Sequence, residues 1–311
     1  MSVLMRKILA AFGPALALAA LVAAGTQEPA RTGAPTPEEV RALIERVVAS
    51  QHRNDQALAE YERRERQIAR KDDGKERITD DKLYRVFPTG TGTVRVLMEE
   101  NSKAVKPEAY EKGLRSVEGA LENALQPNLP KQREAIAKWE KRVRERRELL
   151  DAIAQAFRAT WLGHETLNGR TLAKLQLEPN PEYKPHSRNT SMLTHVRATV
   201  WVEEKNAHLV RVEAEIFEDI PVGGGFLGKV YKGGRFEMEQ VEVAPGVWLP
   251  ARYTYDFDGR KFIFPFSMNE TIEARNYRRL GPPEQALATL RRELRNGGSS
   301  TARPANGTAT Q

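Results

Sequence analysis

The hydrophobic pattern changes period along the chain. Val40, Leu43, Ile44, Val47 and Val48 recur at the spacing of one amphipathic helix stripe. Its start is marked: Thr36 suits the N-cap, Pro37 the first turn and Glu39 the capping-box position. Tyr61 to Arg70 is so charged that it fits either an extension of that helix or an edge strand, where charge discourages further pairing. Asp73-Gly74 marks a turn, with strands at Ile78 to Phe87 and Thr93 to Glu99. Residues 107 to 158 are rich in Ala, Glu, Lys and Arg and predict two helices broken near Pro127 to Pro130. In the second, Ile136, Trp139, Val143, Leu150, Ile153 and Phe157 keep helical spacing, as for a helix packed across a sheet.

From Trp161 the period is two. Asn168-Gly169 is a two-residue hairpin signal, Gly233-Gly234 a weaker one, and Ala244-Pro245-Gly246 a further turn. In Val196 to Ile216, Val200 and Val202 share a face on the outgoing strand, and Val210 and Val212 on the return. The two sets meet on one side if Val200 pairs with Val212, which sets Arg197 opposite Glu215. A slip of one residue would separate them, so the register is specified. One dry face and one wet face imply an antiparallel sheet over a core or a cavity.

Asp258-Gly259 predicts another two-residue hairpin, pairing Phe257 with Arg260, Tyr255 with Phe262 and Tyr253 with Phe264. Tyr253, Tyr255, Phe257, Phe262, Phe264 and Phe266 then crowd one face. That face is either a packed core or the wall of an apolar ligand cavity. Its cross-strand aromatic pairs are each worth about 0.2–1 kcal/mol.

Charge narrows the partners. The net charge of +7 comes from 49 basic against 42 acidic residues, interspersed along 311 positions. Mixed signs read as a solvated surface, and no basic stripe marks a nucleic-acid reader. Arg6 and Lys7 precede an apolar run from Ile8 to Ala24 that ends in small residues, the form of a secretory signal peptide over residues 1–25. An uncleaved anchor is the alternative. Residues 26–36 form a linker, and residues 281–311 a short helix with a disordered tail. An exported chain without cysteine must rest on its own core.

Candidate chemistry is sparse. The histidines His52, His164, His186, His195 and His208 are dispersed without metal spacing, and His208 is read as a surface residue beside a turn. No cofactor is expected. Gly223, Gly228 and Lys229 fit the opening of a phosphate-binding loop, but Val230 replaces its hydroxyl and strand-like residues follow where a helix is required. The better reading of Gly223, Gly224, Gly225, Phe226 and Leu227 is a hinge-like lid at a cavity mouth, or a sheet corner.

Leu172 to Pro179 ("LAKLQLEP"), Val196 to Ile216 and Gly246 to Tyr255 ("GVWLPARYTY") come in an order that resembles the bacterial lipoprotein-carrier superfamily, the LolA/LolB-type half-barrels. The resemblance implies an α+β fold over residues 37–280. It is a curved antiparallel sheet, an unclosed half β-barrel, with helices across its concave side; the helical stretch at about 107–158 is longer than in the compact carriers and reads as an insertion. It implies a non-catalytic periplasmic carrier of lipoprotein or lipid acyl chains, acting in outer-membrane lipoprotein sorting; a monomer is expected, though the sequence itself leaves the oligomeric state open. No binding residue carries over from the family by position; the residue pattern itself offers the candidate lining, Tyr253, Tyr255, Phe257, Phe262, Phe264 and Phe266, with Val200, Val202, Val210 and Val212 beside it. Two alternatives are an envelope-sensing module that binds a membrane protein through the insertion, and a hydrolase of an envelope polymer.

Overall fold

The structure, a computed structural model, describes residues 34–72, 76–126, 129–223 and 225–296. The expected signal peptide, nearly all of the expected linker, the expected Asp73-Gly74 turn, Gly224 and the expected C-terminal tail lie outside the described residues.

Thirteen strands among the described residues form one antiparallel sheet that does not close. In chain order they are β1 (Tyr61–Asp72), β2 (Glu76–Pro88), β3 (Thr93–Glu100), β4 (Lys103–Ala104), β5 (Phe157–Leu167), β6 (Arg170–Pro179) and β7 (Val196–Glu203). Then follow β8 (His208–Ile216), β9 (Ile220–Val222), β10 (Gly228–Val230), β11 (Arg235–Ala244), β12 (Val247–Lys261) and β13 (Phe264–Arg279). The spatial order is β4-β3-β2-β1-β13-β12-β11-β8-β7-β6-β5, with β9 and β10 hung on β12. The helices are α1 (Pro37–Leu58), α2 (Pro107–Leu125), α3 (Pro130–Ala156), the single turn α4 (Arg188–Ser191) and α5 (Pro283–Arg295). The open antiparallel architecture predicted from the alternating pattern is the one observed.

α1 begins where the capping signals place it: the Thr36 hydroxyl accepts from the Glu39 amide, and Glu39 accepts from the Thr36 amide. Val40, Leu43, Ile44 and Val47 are buried against Ala173, Leu175 and Leu177 of β6 and Ala198, Val200 and Val202 of β7. The face that α1 covers is the inner face. The helix stripe continues in phase beyond Val47, but as polar residues. Ser50, Gln51, Asn54 and Asp55 are all buried. Ser50 bonds His208 at 2.8 Å, Gln51 accepts from Gln240 at 3.0 Å, and Asn54 accepts from the Trp248 amide at 3.1 Å. His208 is therefore not a surface residue. It is buried, stacked on Trp248, and burial holds its imidazole below the usual range.

The β7–β8 register is as the apolar sets require, with Val200 opposite Val212 and Arg197 opposite Glu215. The Arg197 guanidinium donates to Glu215 at 3.0 Å. A bulge after Trp201 then pairs Val202 with Leu209. Leu209 thereby takes the inward place that strict alternation predicts for Val210, because one extra residue reverses the phase.

β1 is a strand, and not at an edge: β2 pairs with it on one side and β13 on the other. Its charges are matched within the sheet rather than turned toward solvent, as in Arg66 with Asp81 at 2.6 Å. Alternation along β2 and β3 splits their two faces. Tyr84, Val86 and Arg95 share the inner side with Glu65, while Arg85, Phe87 and Val96 face the opposite way. There α2 and α5 cover them, burying Leu114, Val117 and Leu121 with Ala286, Leu287 and Leu290. The helical stretch at 107–158 thus serves both sides: α2 backs the β2–β3 end, and the C-terminal half of α3 joins α1 through a buried Arg146–Asp55 pair at 2.8 Å.

Candidate functional site

The inner face is richest in aromatic groups where β11, β12 and β13 meet. The hairpin between β12 and β13 turns at Phe262-Ile263, later than Asp258-Gly259 predicts. Tyr253 therefore lies opposite Ile272, Tyr255 opposite Glu270, Phe257 opposite Met268, and Gly259 opposite Phe266. The glycine serves another purpose. A Cβ on Gly259 would stand 2.4 Å from the Lys229 carbonyl, and one on Gly228 would stand 2.6 Å from the Arg260 carbonyl. Both glycines let β10 approach β12 backbone to backbone.

The shift spans an even number of residues, so the expected aromatic residues other than Phe262 still share one face, but they are strung out along the strands. Tyr253, Tyr255 and Phe257 form a ladder with Phe236, with centroids 5.3–6.2 Å apart. Tyr255, Phe257, Met268 and Ile272 are buried in one cluster with Phe236 and Met238, and Phe266 packs against it. Phe264 is 67% exposed, and Phe262 occupies the turn itself. Val200 and Val202 lie under α1, and Val212 bridges the two clusters. β13 thus carries an apolar track on one face, from exposed Phe264 through Phe266 and Met268 to buried Ile272. At about 3.4 Å per residue its length is about 27 Å.

Glu270 interrupts this track. It is buried and hydrogen-bonded to Gln67. Burial pushes its carboxyl above the usual range, and the bond from Gln67 opposes that only in part. A polar seam borders the track on the β1 side. Arg63 donates to Glu65 at 2.7 Å, and Arg95 donates to the other Glu65 oxygen at 2.9 Å. Burial alone would raise the Glu65 carboxyl, but Arg63 and Arg95 outweigh it and hold it below the usual range. Burial also raises the Tyr253 and Tyr255 hydroxyls, which stay neutral. The seam was missed in the sequence because β1 shows no apolar alternation to mark an inward face.

Pro221 to Tyr231 is a short hairpin, β9 to β10, and no helix follows it. Gly223 and Gly225 take positive φ of +61° and +84°. The Lys229 ammonium is held by Asp219 at 3.0 Å. The hairpin is tied to the β12–β13 tip: the Phe262 amide donates to the Leu227 carbonyl at 3.1 Å, and Arg260 donates to the Gly225 carbonyl at 3.0 Å. Among the described residues no group of three or more metal-ligating side chains comes together, and no helix is long and apolar enough to cross a membrane.

These features define an open antiparallel half-barrel with an apolar inner face and a charged seam. No protein-family model and no curated protein matches the chain. It is similar to solved structures of very low identity. A domain assigned to outer membrane lipoprotein sorting from Vibrio parahaemolyticus is 8% identical, over 82% of this chain and 99% of that one, at a TM-score of 0.34. A LolA superfamily protein from Nitrosomonas europaea is 9% identical over 79% and 96%, at 0.31. A DUF1329 family protein from Desulfovibrio piger is 11% identical over 78% and 92%, at 0.29. At these values no residue's role passes from those proteins to this one.

Proposed function

We propose that the protein is a non-catalytic periplasmic carrier that holds the acyl chains of a lipid or lipoprotein against the inner face of the half-barrel. The observation that carries this reading is the apolar track of β12 and β13, which runs without a change of face from an exposed end to a buried one and is broken by Glu270 near the buried end. Each methylene moved from water into such a track gains about 0.8 kcal/mol, so a chain leaving a bilayer needs an apolar lining of comparable length. The inner face is filled by its own side chains and by α1. Loading therefore requires α1 to give way. Its inner stripe is half hydrogen-bonded, through Ser50, Gln51, Asn54 and Asp55, and such contacts exchange with water at low net cost. The leader over residues 1–25 would deliver the chain to the periplasm, and Gly223 to Leu227 would border the entrance.

Gentle purification followed by mass spectrometry of bound lipid, together with displacement of a fluorescent fatty acid, tests this. Bound acyl chains, or saturable uptake weakened by Met268→Glu, are expected. A lipid-free protein that takes up no probe would sink the reading. A second reading is an interaction module that binds an envelope protein. It is favoured by the half-exposed stripe of Ile136, Trp139 and Val143 on α3, beside Leu129, which is 57% exposed.

A further inference from the structure

The entrance of the track has a property that a soluble binding site does not need. Phe226, Leu227, Phe262, Ile263 and Phe264 are all exposed, Phe226 to 79% and Ile263 to 82%. They sit on two different hairpins, yet the Phe262–Leu227 and Arg260–Gly225 hydrogen bonds join the two tips into one protrusion. Large contiguous apolar surface on a soluble chain marks a contact with something apolar. Two further observations say what. The tip segments Pro221 to Lys229 and Gly259 to Phe266 contain no Asp or Glu; Lys229 is held by Asp219 at 3.0 Å, so Arg260 and Lys261 are the cations that the tip offers. Phe262 holds φ +52°, a region where an aromatic residue is an outlier and glycine or asparagine is favoured. The turn thus keeps an exposed phenylalanine where the backbone disfavours it, which points to a use for the side chain.

We propose that the paired β9–β10 and β12–β13 tips dock the protein on an anionic lipid bilayer. The five apolar side chains enter the interface between headgroups and acyl chains, and the cations beside them lie among lipid phosphates. Apolar insertion and attraction to anionic lipid together are what set interfacial binding. The docking deepens the carrier reading and rests on it for its purpose, since it sets the open end of the track at the membrane.

The chain contains no cysteine, so Ile263→Cys carries a unique environment-sensitive dye, with Lys141→Cys on α3 as the control. The full-length mature protein should co-sediment with phosphatidylcholine vesicles that contain phosphatidylglycerol, and less with phosphatidylcholine alone or at high salt. The dye at position 263 should brighten and shift to the blue, and the dye at 141 should not. Phe226→Ser/Phe262→Ser/Phe264→Ser should keep its thermal transition and bind vesicles at least about tenfold more weakly. Vesicle binding that survives this variant, or an unchanged dye at 263, would overturn the proposal. So would self-association without lipid that the variant abolishes, because a second copy would then be the occupant. Fatty-acid uptake is read separately. Vesicle binding without uptake removes the carrier reading and leaves docking standing, and uptake without vesicle binding does the reverse.

Discussion

The two ends of the sheet are stabilised by opposite means. At the β6–β8 end, Leu175, Val200 and Val202 meet the apolar stripe of α1, and the polar side chains of the same strands face away. At the β1–β3 end, Glu62, Arg63, Glu65 and Arg85 are buried as well, within a sheet that has helices on one face and the polar seam on the other. Arg85 donates to Glu62 at 2.9 Å, to Glu293 of α5 at 2.5 and 2.9 Å, and to the Tyr110 hydroxyl of α2 at 3.1 Å. Period-two alternation reports a strand only where one face is dry and the other wet. A strand with both faces occupied shows its charges instead, and its partners lie far away in sequence.

The largest effect should come from breaking the charged end. Arg85→Met leaves Glu62 and Glu293 with one partner fewer in a buried place, and should cost about 3–5 kcal/mol by denaturant unfolding. Adding Glu62→Gln and Glu293→Gln should recover most of that loss, because the uncompensated charges go with it. A triple variant as unstable as the single one would show that shape, not charge, is what Arg85 supplies. At the apolar end, Leu175→Ala should cost about 3 kcal/mol through a cavity under α1, with no rescue by any polar substitution.

Legibility followed the same division only in part, since β2 and β3 of the charged end were read within two residues and β1 alone was left open. The α1 cap, the β7–β8 register and the turns at Asn168-Gly169 and Pro245-Gly246 were readable, because each rests on contacts close in sequence or on a clean dry face. The stripe of α1 was read only as far as Val48. Its continuation through Ser50, Gln51, Asn54 and Asp55 keeps the helical phase, but those residues become inward-facing only through His208, Gln240, Trp248 and Arg146, which no local pattern announces. Asp258-Gly259 looked like a turn because glycine after aspartate usually is one. Here the glycine admits the β10 backbone, a contact visible only in three dimensions. Of the candidate lining, the shared face of the aromatic set was legible and its exposure gradient was not, since the gradient depends on where the hairpin ends.

pH separates the two inner carboxylates. Glu65, held low by Arg63 and Arg95, contributes stability that is present above its unfolded pKa and is lost as pH falls through its folded one. Glu270, raised by burial, works the other way: the folded state keeps its proton longer, so stability falls as pH rises from the ordinary glutamate range through the raised value. Glu270→Gln should therefore raise the Tm at neutral pH, gain little in acid, and flatten the profile above the ordinary glutamate range. An equal gain at every pH would assign the effect to packing rather than to the buried charge.

The smallest effect tests the tip against the body of the fold. Phe262 is 45% exposed and holds a left-handed backbone that costs a β-carbon residue about 1–2 kcal/mol, while asparagine adopts it more readily. Phe262→Asn should thus be neutral or stabilise by up to about 1 kcal/mol, unlike any substitution at the buried Tyr255 or Phe257 of the strand that leads into the turn. If the aromatic tip serves a membrane, the same variant should lose vesicle affinity while it gains stability. A residue whose removal improves the fold and weakens a contact is one the fold did not need. Loss of stability instead would place Phe262 with the packed ladder and not with the exposed protrusion.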